Sequence, residues 1–399
     1  MREVVIVDGV RSAFGDFGGV LRSLPASEIA VLVVKDLLKR TQILERGKVD
    51  SLMCGSALVD EQTLAQARFI ASSAGLPPST AATYVEMQCG SAITCLNHAA
   101  WKILAGMSDI AIVGGMESHS HWPAKMMLNN PQYKDFDPRC IYTGLTPILE
   151  RDTPMVRNSD LMAEKWNISR EECDDFGYRS QQRLKEAYAK GITGPEIVPI
   201  TVFDSKTGEA KVVDKDEHPR PNITREKIAT LKPVYEGGVT TPGNASGRND
   251  GAAFLLIMTA EKAKELGYEP RAKWVGGAHV GCLEHLMGIG ASYSNLKAIK
   301  QLGLKLKDID VFECNEAFAA QNLSVIKDMQ ETMGEKIDME KWNPNGGAIA
   351  IGHPNGASGA RVTMFGMKHL EMTGGKYGCI SSCCGGGQGS TAIIENLRY

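Results

Sequence analysis

Two stretches of the chain follow one plan, and any fold has to accommodate both copies. In the first, a helix leads into Val49-Asp50-Ser51-Leu52-Met53-Cys54-Gly55, and Cys89-Gly90-Ser91-Ala92 opens a helix 35 residues after Cys54. In the second, a helix leads into Ile309-Asp310-Val311-Phe312-Glu313-Cys314-Asn315, and His353 opens a small-residue turn 39 residues after Cys314. The offsets are 260 residues between the two cysteines and 264 between Cys89 and His353. Each turn precedes a helix, a glycine and a strand: Gly106 before Ile110–Val113, and Gly374-Gly375 before Tyr377–Ser382. Two copies of one βαβ-rich unit are expected, because self-similarity at a fixed offset is the mark of a repeated architecture.

Apolar strand-like runs (Val4–Val7, Ile110–Val113, Phe254–Met258, Val311–Glu313) alternate with helical patterns (Ile29–Arg40, Thr94–Leu104, Ser169–Ala189, Ala260–Leu266, Ser324–Glu331). That alternation predicts an α/β fold with helices on both sheet faces. Between the copies, from about His119 to Arg248, Pro-rich turns such as Asn130-Pro131 and His218-Pro219-Arg220-Pro221 surround a charged helix. A segment that long inside an α/β unit reads as a functional insertion. Phe254–Met258 then returns to core composition, so the first unit is expected to be discontinuous.

Charge excludes one class of partner. With 44 basic and 47 acidic residues and a net charge of −3, the 399-residue chain lacks the basic excess of a nucleic-acid binder. A local basic patch for one phosphorylated ligand is still compatible. No apolar run reaches the roughly 18–20 residues of a membrane span. The chain opens directly on a strand pattern and ends in Leu397-Arg398-Tyr399, so no leader or lipid signal is expected and the cytoplasm is the expected compartment. Ten cysteines include no Cys-x-x-Cys pair, which argues against a zinc ribbon; most should be buried small residues.

Four motifs stand out from that background. Cys89 lies where an extended segment turns into a helix, and unpaired N–H groups there are expected to lower a thiol's pKa; the competing reading is a buried core cysteine. His353, in Gly352-His353-Pro354-Asn355-Gly356-Ala357-Ser358-Gly359, is suited to take a thiol proton, unless it merely bonds its own turn. Cys383-Cys384-Gly385-Gly386-Gly387 offers either a phosphate loop, without a P-loop's Lys-Ser/Thr, or a second thiol beside open backbone N–H groups. Asn315-Glu316-Ala317-Phe318-Ala319 is a polar pair before a small apolar helix, where Asn315 could equally be an N-cap. His119-x-His121 lacks a third metal ligand nearby in sequence, and no metal is expected.

In this order, Cys89, Asn315-Glu316-Ala317-Phe318-Ala319, Gly352-His353-Pro354 and Cys383-x-Gly385-Gly386-Gly387 resemble the thiolase family, the acetyl-CoA acetyltransferases and 3-ketoacyl-CoA thiolases. The resemblance runs from Val10-Arg11-Ser12-Ala13-Phe14-Gly15 through Asn244-Ala245-Ser246-Gly247 to the Cys383 loop. It implies a thiolase-like fold: two duplicated αβαβα halves, 1–118 plus 249–270 and 271–399, with a loop domain, 119–248, covering coenzyme A. Cys89 would take the acyl group as a thioester, His353 would activate it, and Cys383 would move the α-carbon proton. Asn315, through a water, and His353 would form one oxyanion hole, the N–H groups of Cys89 and Gly385 the other. Arg220, Ser246 and Gly247 match the coenzyme A region; Met155, Arg157, Met287, Phe318 and Asn355 match the acyl pocket. Coenzyme A and acyl-CoA would be substrates, with no covalently bound cofactor, in a homodimer or tetramer with room for a second subunit.

Departures from the family pattern fall in the pocket. The residue after His353-Pro354, usually a small aliphatic one, is Asn355; Thr153-Pro154-Met155 lacks the His before Met of acetoacetyl-CoA-specific relatives; and Ala291-Ser292 replaces the Pro that usually follows Gly290. The expected substrate is therefore a bulky, aromatic, branched or carboxylated 3-oxoacyl-CoA, with Arg157 as a partner for a carboxylate. An acetoacetyl-CoA-specific enzyme and an inactive acyl-CoA-binding subunit are the competing expectations.

Overall fold

A computed structural model describes residues 2–58, 64–129, 137–140, 144–146, 148–204 and 207–398; the Asn130-Pro131 turn lies outside them. The first copy contributes strands β1 (Val4–Ser12), β2 (Ser51–Gly55), β3 (Ala81–Val85), β4 (Ile110–Ser118) and β5 (Asn249–Thr259). The second contributes β6 (Ala272–Gly281), β7 (Val311–Cys314), β8 (Tyr377–Cys384) and β9 (Gln388–Asn396). The first set lies in the order β3-β2-β4-β5-β1. The second lies in the order β7-β8-β9-β6, with Trp342 bridging in parallel outside β7 where a further strand would stand.

Pairing directions repeat as well. β2 pairs in parallel with β3 and β4, and β5 runs antiparallel to β4 and β1. Likewise β7 is parallel to β8, and β9 runs antiparallel to β8 and β6. The copies meet where Val4–Ile6 of β1 pair antiparallel with Ala272–Trp274 of β6. The repeat read from the sequence is thus a repeat of topology.

Alternating side chains on the strands sort the core into layers. Val5 and Val7 face an outer helix, α1 (Ala26–Thr41), whereas Val4 and Ile6 face a central pair of helices, α2 (Ser91–Leu104) and α7 (Asn355–Thr373). On the far side of the second sheet lie α5 (Gly290–Gln301) and α6 (Ala319–Met333). The result is αβαβα. A strand covered on both faces is apolar along most of its length, and all eleven residues of β5, apolar from Ala252 to Met258, are buried.

The two central helices pack unusually close. A Cβ on Gly359 of α7 would stand 2.6 Å from the Ile93 amide nitrogen of α2, so only glycine lets the helices approach to this distance. Their N-termini are brought together, and they carry Cys89 and His353.

The 119–248 segment holds α3 (Met155–Trp166) and α4 (Arg170–Ala189), the latter opened by a Ser169–Glu172 capping box. Buried Arg11 ties the segment to β1 through Asp216 at 2.6 Å and Glu196 at 3.0 Å. No helix among the described residues is long and apolar enough to cross a membrane.

Candidate active site

Ahead of α2, Gln88 adopts φ +48°, a left-handed conformation that few non-glycine residues hold. Ser91 Oγ pins this turn by accepting from the Met87 N–H at 2.9 Å and donating to the Gln88 carbonyl at 2.7 Å. Cys89 is thereby presented, buried, to the start of α7. Its Sγ lies 3.1 Å from Nε2 of His353 and 3.5 Å from Nδ2 of Asn355, and the main-chain N–H groups of Cys89 and Gly385 also act on the sulfur.

The fall in the Cys89 pKa expected from a helix N-terminus is overturned by burial. Desolvation, reinforced by the nearby Glu117 carboxyl, pushes the thiol up to about 12, outweighing the N–H donors that lower it. Burial, aided by the neighbouring His119 ring and the Arg361 guanidinium, pushes His353 down to about 3. The resting pair is therefore a neutral thiol and a neutral imidazole, and the proton has to move as the sulfur attacks.

Hydrogen bonds fix the tautomer. Ser358 Oγ donates to the Pro354 carbonyl at 3.0 Å, which spends its one hydrogen. It must then accept from His353 Nδ1 at 2.6 Å, leaving the Nε2 lone pair toward Cys89. The His353 N–H donates to Asn249 Oδ1 at 2.8 Å, and Gly352, at φ +103°, leaves room for that Asn side chain.

Asn315 is no N-cap: α6 starts later, after Phe318. Its Oδ1 accepts from Arg361 Nη2 at 3.2 Å, which turns Nδ2 toward His353 Nε2 at 3.3 Å. Behind it, Arg361 stands 3.7 Å from Glu313, both fully buried, and burial pushes the Glu313 carboxyl up to about 8 despite the guanidinium beside it.

Cys383 and Cys384, adjacent on β8, face opposite ways. Cys383 joins Met287, Phe318 and, at the edge, Met155 in one apolar cluster. Its thiol is held well above the usual range by burial and then by the Cys89 sulfur. Two sulfurs that resist ionising together can pass a proton in turn. Two buried neutral thiols, a histidine of fixed tautomer poised to take a thiol proton, and open backbone donors form a site suited to acyl transfer through a thioester.

Known proteins bear on this geometry. The thiolase N-terminal domain matches residues 4–261 and the thiolase C-terminal domain residues 268–396. The chain belongs to the thiolase family.

It is 38% identical, over the full length of both chains, to the 3-oxoadipyl-CoA/3-oxo-5,6-dehydrosuberyl-CoA thiolase of Escherichia coli, and 40% to a beta-ketoadipyl-CoA thiolase of Acinetobacter baylyi, again over both full lengths. The Bacillus anthracis acetyl-CoA acetyltransferase superposes with a TM-score of 0.91 at 36% identity, covering 100% of this chain and 99% of that one. Human mitochondrial 3-ketoacyl-CoA thiolase in complex with CoA gives 0.89 at 34%, covering 99% and 98%. The chain is an acyltransferase of coenzyme A thioesters.

Other thiolase motif residues separate into two groups. The Ser246 N–H bonds the Ala317 carbonyl at 3.0 Å and Ala245 bridges Phe318, so the Asn244–Gly247 turn lies against the Asn315 loop. A Cβ on Gly247 would meet His218 Cε1 at 2.5 Å. Arg220 is 53% exposed and bonds Asp16 at 3.2 Å. The Arg157 side chain is 40% exposed, and its guanidinium lies 3.1 Å from Glu164 of the same helix. His119 and His121 diverge, to Asn355 and to the Arg22 carbonyl, and share no metal position.

Cys384 had no explanation in the sequence. It packs directly beneath Gly90, where any Cβ would collide with its Sγ, and so supports the Cys89 turn. Sequence reading weighed His119 only as a metal ligand and missed Asn249, Arg361 and Glu117, the last accepting from the Ala57, Leu58 and Gly356 N–H groups. Ser358, five residues after His353, was visible in the small-residue run but had no assigned part.

Proposed function

We propose that this thiolase cleaves a 3-oxoacyl-CoA with coenzyme A, or runs the reverse condensation, by ping-pong transfer through Cys89. The observation that carries the reading is the 3.1 Å approach of His353 Nε2, in its accepting tautomer, to Cys89 Sγ beside a second buried thiol. Cys89 attacks the 3-oxo carbon as its proton passes to His353. The bond between C2 and C3 breaks; the acetyl-CoA enolate takes a proton from Cys383, and the acyl group stays on Cys89. Coenzyme A then gives its thiol proton to the Cys383 thiolate and attacks the thioester, releasing acyl-CoA, and Cys89 regains its proton from His353. Asn315 and His353 serve one oxyanion, the Cys89 and Gly385 N–H groups the other; losing one such donor costs about 2.7–4 kcal/mol of transition-state stabilisation.

Arg220, Ser246 and Gly247 are assigned to coenzyme A, and Met155, Arg157, Met287, Phe318 and Asn355 to the acyl pocket. The chain divides into 1–118 plus 249–270, the loop domain 119–248, and 271–399. Relatives named for 3-oxoadipyl-CoA support a carboxylated acyl part. A homodimer or tetramer in the reducing cytoplasm suits an enzyme that works with free thiols; light scattering tests the assembly.

The test is intact mass after exposure to a panel of 3-oxoacyl-CoA esters, including acetoacetyl-CoA and dicarboxylic members. An acyl adduct lost in Cys89→Ser is expected. No adduct would leave an acyl-CoA-binding role, and fastest turnover of acetoacetyl-CoA would overturn the substrate reading.

A further inference from the structure

Asn355 is the first residue of α7, and its side chain joins two parts of the fold that are distant in sequence. Nδ2 lies 3.5 Å from Cys89 Sγ; Oδ1 lies 3.0 Å from Nε2 of His119, just beyond the end of β4. The direction of the amide follows from the ring. His119 Nδ1 is buried with no hydrogen-bond partner, so the ring hydrogen belongs on Nε2, where Oδ1 can accept it. An amide held by its oxygen has to present its N–H groups to the sulfur. With the main-chain N–H groups of Cys89 and Gly385, this makes three nitrogen donors converging on one sulfur.

An aliphatic side chain in this place would supply no donor. Hydrogen bonds to an ionised partner are about twice as strong as those between neutral groups, so the Asn355 contact strengthens whenever the sulfur carries charge. The proposed reaction charges that sulfur twice: when Cys89 attacks the 3-oxo carbon, and when coenzyme A expels it from the acyl-enzyme.

We propose that Asn355 is a catalytic residue of this thiolase, donating to the Cys89 sulfur in both half-reactions, with His119 as the positioning residue that sets its amide. The proposal rests on Cys89 being the acylated nucleophile.

The full-length enzyme is tested with Asn355→Leu, Asn355→Asp, His119→Phe, His119→Gln and the Asn355→Leu/His119→Phe double variant. Two quantities are read for each: the pH profile of Cys89 alkylation by iodoacetamide, and the rates of acylation and of deacylation by coenzyme A followed by quenched intact mass. Asn355→Leu should lower the alkylation rate at every pH of the profile, all of it below the Cys89 midpoint, and slow both half-reactions about ten-fold, the low end for a bond to a charged group. Asn355→Asp keeps an acceptor for His119 but sets a carboxylate against the sulfur, and should lower the alkylation rate further. His119→Phe should act in the same direction, His119→Gln should restore part of the loss, and the double variant should be no worse than Asn355→Leu. His353, Glu117, Cys383 and Cys384, the other titratable groups near the sulfur, stay in place in all five. An Asn355→Leu profile superimposed on that of the parent overturns the proposal. An acyl adduct that survives Cys89→Ser overturns the reading beneath it instead.

Discussion

Replacing Ser358 with alanine removes the acceptor that holds His353 Nδ1–H, at 2.6 Å, while leaving the imidazole and both thiols in place. In the resting enzyme that bond joins neutral groups and contributes about 0.5–1.5 kcal/mol; once the ring takes the Cys89 proton it is charge-assisted and contributes about 1.5–3 kcal/mol. Only the difference, about 1–1.5 kcal/mol, bears on kcat, which is a factor of about 5–12. A second loss comes from the tautomer. Without Ser358 the ring has no reason to keep its hydrogen on Nδ1, and a half-population of the wrong form costs about another factor of two. Ser358→Ala should therefore slow acylation of Cys89 about 10–25-fold, with KM little changed because the bond serves the transition state. Single-turnover rapid quench with intact mass measures this directly. Acylation within two-fold of the parent would show that Ser358 does not fix the tautomer; a KM effect alone would show that it acts on binding.

Because burial pushes His353 down from its ordinary range to about 3, the base stays unprotonated at pH 5, and protonating Glu117, which burial raises to about 7, removes a charge that opposes the Cys89 thiolate, so acylation should not fall from pH 8 to pH 5; a fall with a midpoint near 6.5 refutes this. Arg361→Met should cost about 3–5 kcal/mol in denaturant unfolding at pH 9, where Glu313, raised to about 8 by burial, is ionised and loses its counter-charge, and Arg361→Met/Glu313→Leu should recover most of it; no recovery would mean the pair is not the cause. Gly90→Ala should destabilise by about 1–3 kcal/mol through its collision with Cys384, and Cys384→Ala in the same chain should relieve it, read as the difference in Tm. Equal Tm values for Gly90→Ala and the double variant would contradict that packing.

Local chemistry made part of this protein legible in its sequence. Strand and helix periodicity, together with the 260- and 264-residue offsets, specified two copies of one unit, because each copy needs the same apolar faces to bury. Cys89, His353, Asn315 and Cys383 announced themselves by the small residues around them, since a ligand can approach a backbone only where side chains are absent. Tertiary structure decided the rest. The pKa of Cys89 depends on what surrounds it, and burial reversed the direction that a helix N-terminus alone predicts. The His353 tautomer, the turn of the Asn315 amide on Arg361, the seat of Cys384 under Gly90 and the His119–Asn355–Cys89 chain are contacts that no local pattern encodes. Hydrogen bonds and desolvation act over a few ångströms, so a motif can name the reacting atoms, and only the packing of α2 against α7 determines their protonation state and which groups they face.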